Sequence, residues 1–180
     1  VIALEPLFPD LLRDNVKFHN GSDFTAEDVV YSFEQFKQND DYSPLVTPTI
    51  KSVEAVGTNQ VKITTDGVDP ILLNRLTSLF IVDSGAAGEA APQYGTGPYT
   101  LKDGTEPTAT NIELVAYDGY YGERPLVREF QMTVYLESEE DEAGTAEAKM
   151  IEDVKAGKLD IAGFVSGDNV TKAETEGLHL

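Results

Sequence analysis

The stretch VKFHNGSDFTAEDVVYSF, residues 16–33, has an identifiable backbone role at nearly every position. Val16 and Phe18 are apolar and alternate with polar neighbours, which is the period of a half-buried strand. Asn20 and Gly21 follow, and both tolerate the positive φ that a tight turn requires. The first half of the stretch therefore predicts a short strand that ends in a turn.

The second half of the same stretch predicts a capped helix. Thr25 is a good N-cap residue, and Asp28, three positions later, imitates the reciprocal capping box. An apolar stripe at helical spacing follows, formed by Val29, Val30, Phe33 and Phe36. The helix is predicted from residue 26 to about residue 38.

A second informative string, GTGPYTLK, occupies residues 95–102. Gly95 and Gly97 permit a sharp turn and a close backbone approach, and Pro98 pushes Gly97 toward an extended backbone. Tyr99 then begins a strand. A phosphate-binding loop is the competing interpretation, but no Gly-Lys-Ser/Thr follows and the string enters a strand rather than a helix.

The net charge of the chain limits the kinds of molecule that it can bind. It carries 32 acidic and 13 basic residues, a net charge of −19 over 180 residues. Nucleic acid is excluded as a partner, because phosphate neutralisation needs Lys and Arg. Self-repulsion at this charge density is relieved by concentrated salt, so we infer adaptation to a high-salt environment. An ordinary acidic extracellular protein is the alternative.

The length suits one domain or one lobe of a larger protein. No run of 18 apolar residues occurs, so no membrane-spanning segment is predicted. Residues 1–4 lack the charged start of a signal peptide. We therefore expect either a mature form or a fragment.

The side-chain inventory favours a protein without catalytic chemistry. The chain has no cysteine, and His179 is the only histidine besides His19, which is expected to be structural. Residues 137–142 are densely acidic but lack the pattern of a calcium loop, so a solvated loop is expected. An acid–base hydrolase is the enzymatic alternative, but no nucleophile–base set occurs. We predict no enzyme activity, no metal site and no cofactor.

Hydrophobic periodicity predicts mixed sheets with helices, an α/β class of fold. Two strands joined by a turn at residues 57–59 form an antiparallel hairpin, and Asp69-Pro70 opens a helix. Residues 80–82 are predicted as a short buried strand. Further strands are predicted at residues 49–56, 60–65, 111–117, 130–136 and 159–162, and further helices at 143–156 and 169–176.

Four strings occur here in the order found in one family: FHNGSDFTAEDVVYSFEQF, YGTGPYTLK, ELVAYDGYYGERPLVREFQMTVY and KAGKLDIA. The chain resembles the family 5 extracellular solute-binding proteins, the dipeptide, oligopeptide and nickel-binding components of ABC importers. The match covers most of residues 11–165. The resemblance implies a type II periplasmic-binding-protein-like fold, here one lobe or a truncated two-lobe form, with ligand held between lobes that close by hinge motion.

The resemblance also implies an organisation and a role. It assigns the chain to the N-terminal portion of such a protein, with a subdomain at about residues 14–82, a sheet-forming segment at about 93–165 and no second ligand-binding lobe. The implied protein is extracellular or periplasmic, with lipid anchoring through a segment outside these residues as an option. It would receive a peptide or other small solute and deliver it to an ABC importer permease, without doing chemistry itself.

Five residues are candidate ligand contacts by their position in the family pattern: Tyr42, Phe80, Ile81, Tyr94 and Thr96. Aromatic side chains suit this role because they offer large contact area at low entropic cost. Core packing or loop anchoring is the alternative for each. A degenerate lobe that acts as a protein-interaction module without a transport ligand is the alternative function.

Overall fold

The computed structural model describes residues 12–39, 43–86, 88, 94–137, 144–175 and 177–178. Five α-helices and a 3₁₀ helix (Ser84–Ala86) lie in this part of the chain; the α-helices are α1 (Ala26–Lys37), α2 (Ser43–Val46), α3 (Leu72–Leu76), α4 (Thr145–Lys155) and α5 (Gly167–Thr175). It also contains five strands: β1 (Ile50–Ala55), β2 (Val61–Thr65), β3 (Tyr99–Leu101), β4 (Asn111–Ala116) and β5 (Glu129–Thr133). The mixture of helices and sheets confirms the predicted class.

The chain divides into two compact units. Unit 1 comprises Val1–Asp103 with Leu114–Phe130, and unit 2 comprises Gly104–Glu113 with Gln131–Leu180. The predicted subdomain at residues 14–82 falls within unit 1, whereas the predicted sheet-forming segment at 93–165 contributes to both. That predicted division stays a prediction.

Helix α1 begins where the sequence predicts. The backbone N–H of Thr25 donates to Asp28 Oδ2 over 2.7 Å, and the Thr25 hydroxyl donates to the same oxygen over 2.8 Å. A capping box is thus present, and it satisfies backbone donors that the first helical turn leaves without partners. The helix ends at Lys37, one residue before the predicted end.

The predicted hairpin is confirmed and supports the hydrophobic core of unit 1. Strands β1 and β2 pair antiparallel, with Val53 opposite Ile63 and a register irregularity between Ile50 and Ser52. One face of the pair packs against α1. The buried cluster comprises Ala26, Val29, Phe33, Val46, Ile50, Val53, Val61 and Leu72.

Helix α3 is shorter than the sequence suggests. It begins at Leu72, and Asp69 accepts a hydrogen bond from the backbone N–H of Ile71 rather than capping a helix that starts at Pro70. The other carboxylate oxygen of Asp69 accepts from the Thr49 hydroxyl over 2.5 Å and from Arg75 Nε over 3.1 Å. Asp69 therefore joins the start of the hairpin to α3.

The prediction of a buried strand at residues 80–82 is wrong. No strand forms there, and Phe80 remains 73% exposed. The backbone N–H of Val82 donates to the Ser32 hydroxyl over 3.0 Å instead of to a neighbouring strand. A side-chain partner on α1 thus replaces the strand pairing that the apolar run suggested.

A three-stranded sheet has the order β3-β4-β5. Strand β3 pairs antiparallel with β4, with Thr100 opposite Val115. The bonds from Ala116 N to Arg128 O and from Val134 N to Thr110 O make β5 antiparallel to β4 as well. Strand β5 lies at an edge of this sheet, and all five of its residues are exposed.

Unit 2 packs α4 against α5. Ile151 and Ala173 are each 1% exposed, and Glu147 on α4 accepts hydrogen bonds from the backbone and hydroxyl of Ser166. The predicted strand at residues 159–162 does not form. The backbone N–H groups of Lys158 and Leu159 both donate to Asp153 O, so they extend the helix end.

Within the described residues, no helix is long and apolar enough to cross a membrane.

Candidate functional site

Residues 16–23, which we call the anchor turn, form the centre of the candidate site. Val16 is 5% exposed and Phe18 is fully buried, so this segment is fixed in the core. A single antiparallel bridge joins Lys17 to Asp23, and the backbone N–H of Gly21 donates to Phe18 O over 2.8 Å. The predicted strand and turn therefore take the form of a tight, bridged loop.

The anchor turn binds the segment at residues 80–86 through one carboxylate. Asn20 Nδ2 and Ser22 Oγ each donate to Asp83 Oδ2 over 2.6 Å. The backbone N–H of Gly85 donates to Asp83 Oδ1 over 2.8 Å. These donors, that of Ser22 first and that of Asn20 next, lower the pKa of Asp83 below its usual range although burial opposes them. Asp83 is therefore ionised at neutral pH, and its two carboxylate oxygens accept hydrogen bonds that join the anchor turn to this segment.

Helix α1 holds the same segment from the other side. The backbone N–H and hydroxyl of Ser84 donate to Asp28 Oδ1 over 2.9 and 2.7 Å. Asp28 therefore serves two purposes, since its other oxygen completes the capping box with Thr25. Asp28 is 3% exposed, and such a buried carboxylate is tolerated because both of its oxygens are bonded. The backbone of residues 82–85 is accordingly fixed by side chains distant in sequence.

The anchor turn also binds the glycine turn at residues 95–98. The backbone N–H of His19 donates to Gly95 O over 3.0 Å. The imidazole bonds the same turn twice, with Nδ1 at 3.3 Å from Gly95 N and Nε2 at 3.0 Å from Gly97 O. His19 is thus structural in this fold, which agrees with the expectation from sequence.

Tyr117 closes this assembly. Its ring packs edge-on against His19 with the centroids 5.0 Å apart, and its hydroxyl donates to Phe18 O over 2.8 Å. Its backbone N–H donates to Pro98 O over 2.9 Å. One residue at the end of β4 therefore contacts both the anchor turn and the glycine turn.

Four of the five predicted contact residues lie on, or directly beside, the two segments that the anchor turn holds. Phe80 is largely exposed, whereas Ile81 is partly buried and packs against the core cluster of unit 1, which fits the packing alternative for Ile81. Tyr94 and Thr96 are half-buried at the glycine turn. Tyr42 lies outside the described residues. A ligand role for these residues stays a prediction.

The residues that organise the site were not singled out as such from sequence. Asp83 lies outside the predicted helices and strands, and Tyr117 is predicted only as the last residue of a strand. Their partners are 61 and 99 positions away in the chain, and local periodicity carries no signal for bonds of that separation. The Asx turn at Asn20, whose Oδ1 accepts from Ser22 N over 3.0 Å, was the one local signal.

The aromatic loop after β4 is held by a contact between its own rings and by a contact with Arg13. The rings of Tyr120 and Tyr121 lie 4.6 Å apart, and the Arg13 guanidinium lies 4.9 Å from the centre of the Tyr121 ring. Beside them, Arg128 and then Arg124 lower the pKa of Asp118 by hydrogen bonding to its carboxylate.

The described residues contain no group of three or more His, Cys, Asp or Glu side chains arranged to hold a metal ion.

Comparison with known proteins places this fold. The chain is 30% identical over 154 residues to the nickel-binding protein NikA of Staphylococcus aureus, covering 82% of the chain and 30% of that protein. It is 30% identical over 197 residues to Heme-binding protein A of Haemophilus influenzae, covering 92% of the chain and 34% of that protein. The chain thus spans about a third of the length of these relatives.

A solved structure and a family description complete the comparison. The periplasmic binding protein DppA from Helicobacter pylori, solved with the peptide STSA, matches with a TM-score of 0.63 and 21% identity, over 82% of this chain and 33% of that one. This likeness shows the fold alone. The family model of the bacterial extracellular solute-binding proteins, family 5, matches residues 11–178. The chain belongs to this family of extracellular solute-binding proteins.

Proposed function

We propose that this chain is the N-terminal part of a receptor that binds a small solute, a peptide, outside the cytoplasmic membrane and delivers it to an ABC importer permease. Family membership supports a receptor rather than an enzyme. The peptide bound to the similarly folded DppA supports this class of solute, while nickel and haem are named for the two sequence relatives. Lipid anchoring outside these residues would keep such a receptor near its permease.

One observation carries the proposal: two segments with candidate contact residues are tied to the same anchor turn. Asp83 fixes the segment that presents Phe80, and His19 fixes the turn that presents Tyr94 and Thr96. A rigid backbone lowers the entropy that a solute-contacting side chain must lose on binding.

Phe80 is the side chain best suited to meet a solute. Its neighbours Ile81 and Val82 are held by the core cluster and by Ser32, yet the Phe80 ring is 73% exposed. An aromatic ring on a fixed backbone loses little freedom when a ligand covers it. We therefore expect Phe80 to contribute to affinity more than any other of the candidate contacts.

The test is calorimetry on the full-length protein that contains these residues, with three probes in separate arms: a mixture of tetrapeptides, the nickel–histidine complex and hemin. We expect saturable binding of the tetrapeptides and a fivefold to tenfold loss of affinity in Phe80→Ala. Phe164→Ala is the matched control, because Phe164 is fully exposed, whereas Phe80 is largely exposed, and Phe164 lies in unit 2. Saturation by nickel–histidine or hemin with no response to tetrapeptides would overturn the peptide assignment.

A second candidate function is a lobe that docks on a protein partner without a transport ligand. The apolar side chains along and beyond β5 favour it, because Phe130, Met132, Val134 and Leu136 alternate and are all exposed. This candidate predicts no saturable binding of any of the three probes. Turnover of a peptide by the pure chain would contradict both candidates, since neither includes catalysis.

A further inference from the structure

We infer that His19 is the positioning residue of the glycine turn at residues 95–98, and that only one neutral tautomer of its imidazole can hold this turn closed. This inference concerns the backbone of the turn. Its consequence for Tyr94 and Thr96 as solute contacts rests on the proposed function. Protonation of His19 would then open the turn and weaken solute binding.

The two ring nitrogens of His19 meet groups of opposite character. Nε2 lies 3.0 Å from the carbonyl oxygen of Gly97, which only accepts, so Nε2 must carry the proton. Nδ1 lies 3.3 Å from the backbone nitrogen of Gly95, which only donates, so Nδ1 must offer a lone pair. A neutral imidazole has one donor and one acceptor, and the Nε2–H tautomer satisfies both contacts.

An imidazolium does not fit this arrangement. Both of its nitrogens are donors, so Nδ1–H would face the N–H of Gly95 and the hydrogen bond there would be replaced by repulsion. The Tyr117 ring packs edge-on against the imidazole, with the centroids 5.0 Å apart, and restricts its rotation on that side.

The charged groups near the anchor turn have other partners. Lys17 and Asp23 pair with each other on the exposed side, over 2.5 Å. Asp83 is bonded by Asn20 and Ser22, and its lowered pKa keeps it ionised throughout the range in which histidines titrate.

The remaining titratable groups around His19 offer no charge partner either. Tyr117 presents its ring edge, and its hydroxyl donates to Phe18 O. Asp118, the next residue, bonds Arg124 and Arg128. Among the described residues, none of the ion pairs joins a carboxylate to His19, so the protonated ring would gain no compensating partner.

Nuclear magnetic resonance on the full chain tests this inference without any ligand. Nitrogen-15 shifts of the imidazole rings report the tautomer, and the signal of His19 is assigned as the one that disappears in His19→Asn. We expect the Nε2–H tautomer at pH 7.5 and a shift of the Gly95 amide signal that follows the protonation of His19. An Nδ1–H tautomer, or titration of the ring with no response at Gly95, would overturn the inference.

Three substitutions separate the two contacts. In His19→Asn the amide oxygen lies near the position of Nδ1, whereas in His19→Gln the amide nitrogen lies near that of Nε2. His19→Ala removes both contacts, and we expect the protection of the Gly95 amide against hydrogen exchange to fall threefold to tenfold at pH 7.5. His19→Asn should retain most of this protection and lose its dependence on pH.

Tyr117→Phe is the matched control. It removes the bond from the tyrosine hydroxyl to Phe18 O but leaves the ring against His19. A general loosening of the anchor turn would lower protection in this variant without changing its pH dependence. If Tyr117→Phe abolished the pH response while His19→Asn retained it, the role assigned to His19 would be wrong.

Binding of the tetrapeptide mixture at pH 7.5 and 5.5 then tests the functional consequence. We expect weaker binding at the lower pH for the wild type and a smaller difference for His19→Asn. Absence of binding at both values would contradict the proposed function, yet the tautomer and the Gly95 response would still decide the role of His19. Equal pH dependence in both proteins would overturn the link between the turn and the solute.

Discussion

Phe33 in helix α1 and Phe130 in strand β5 occupy opposite environments although both belong to regular apolar patterns. Phe33 is 1% exposed within the cluster formed by α1, the hairpin and α3, whereas Phe130 is 43% exposed on an edge strand. The α1 region combines a helix layer with a sheet layer. Strand β5 offers the same kind of side chains with no covering layer in the described part of the chain.

This difference shows what a hydrophobic pattern does and does not determine. Periodicity decides which side chains share one face of an element, but burial requires a second layer on that face. The curated relatives are about three times as long as this chain, which covers 30% and 34% of their lengths. Four experiments follow in order of decreasing expected effect: three of them test one or both sides of the contrast between the α1 region and β5, and the third in order tests the charge of the whole chain.

Paired truncations measure the contrast directly. Phe33→Ala should lower the free energy of unfolding by about 3–5 kcal/mol, because it removes a fully buried ring from a packed core. Phe130→Ala should lower it by about 1 kcal/mol or less, since nearly half of the ring is already in water. Urea denaturation followed by circular dichroism compares the two. Equal losses would mean that the strand is as well packed as the α1 region.

Acid tests the carboxylate clamp beside α1. Hydrogen bonds lower the pKa of Asp83 in the folded state, so the stability that its charge contributes is complete above the ordinary aspartate value of 3.8 and is lost as the pH falls further. At pH 7, Asp83→Asn should cost about 2 kcal/mol, a usual cost for a hydrogen bond to a charged group.

The difference between wild type and Asp83→Asn should shrink as the pH falls below 3.8. Asp118→Asn is the matched control, because Asp118 also has a lowered pKa but is 73% exposed. Denaturation at pH 7, 5, 4 and 3 provides the curves. A difference that stays constant down to pH 3 would contradict the role given to the charge of Asp83.

Salt acts on the whole chain through its net charge of −19. We expect the urea midpoint to rise between 0.1 M and 2 M sodium chloride, because the ions screen repulsion among the carboxylates. The resulting gain in the free energy of unfolding is predicted to be smaller than the loss of that free energy in Phe33→Ala. An unchanged or falling midpoint would count against adaptation to high salt.

The smallest effect on stability is expected on the exposed face of β5. Phe130→Ser combined with Met132→Ser should change the free energy of unfolding by no more than about 1 kcal/mol. The same pair should reduce the fluorescence of a bound hydrophobic dye, because it removes apolar side chains from an open surface. Unchanged dye fluorescence together with a large loss of stability would show that this face is covered.

The sequence predicted the elements whose determinants are local. Thr25 and Asp28 located the start of α1, and alternation in residues 49–65 located the hairpin, because caps and strand periods depend on nearby residues. The order of motifs identified the family, which the comparisons confirm. These features positioned the two segments on which the site is built.

The remaining features depend on contacts between distant residues. An apolar run at residues 80–82 predicted a strand, but the backbone N–H of Val82 donates to the Ser32 hydroxyl, and Asp28 accepts from the nearby Ser84. The structural role of His19 was predicted correctly, but its hydrogen bonds to the glycine turn could be identified only in the folded structure. Pattern analysis cannot anticipate such bonds, because it contains no information on which turn meets which loop.

Hydrogen exchange measured by mass spectrometry, with and without the tetrapeptide mixture, tests the receptor account most directly. We expect slower exchange on addition of the tetrapeptides in the proteolytic fragments that cover residues 80–86 and 94–98, with no change in β5. Slower exchange confined to β5, or no change in either of the two segments at saturating peptide, would contradict it.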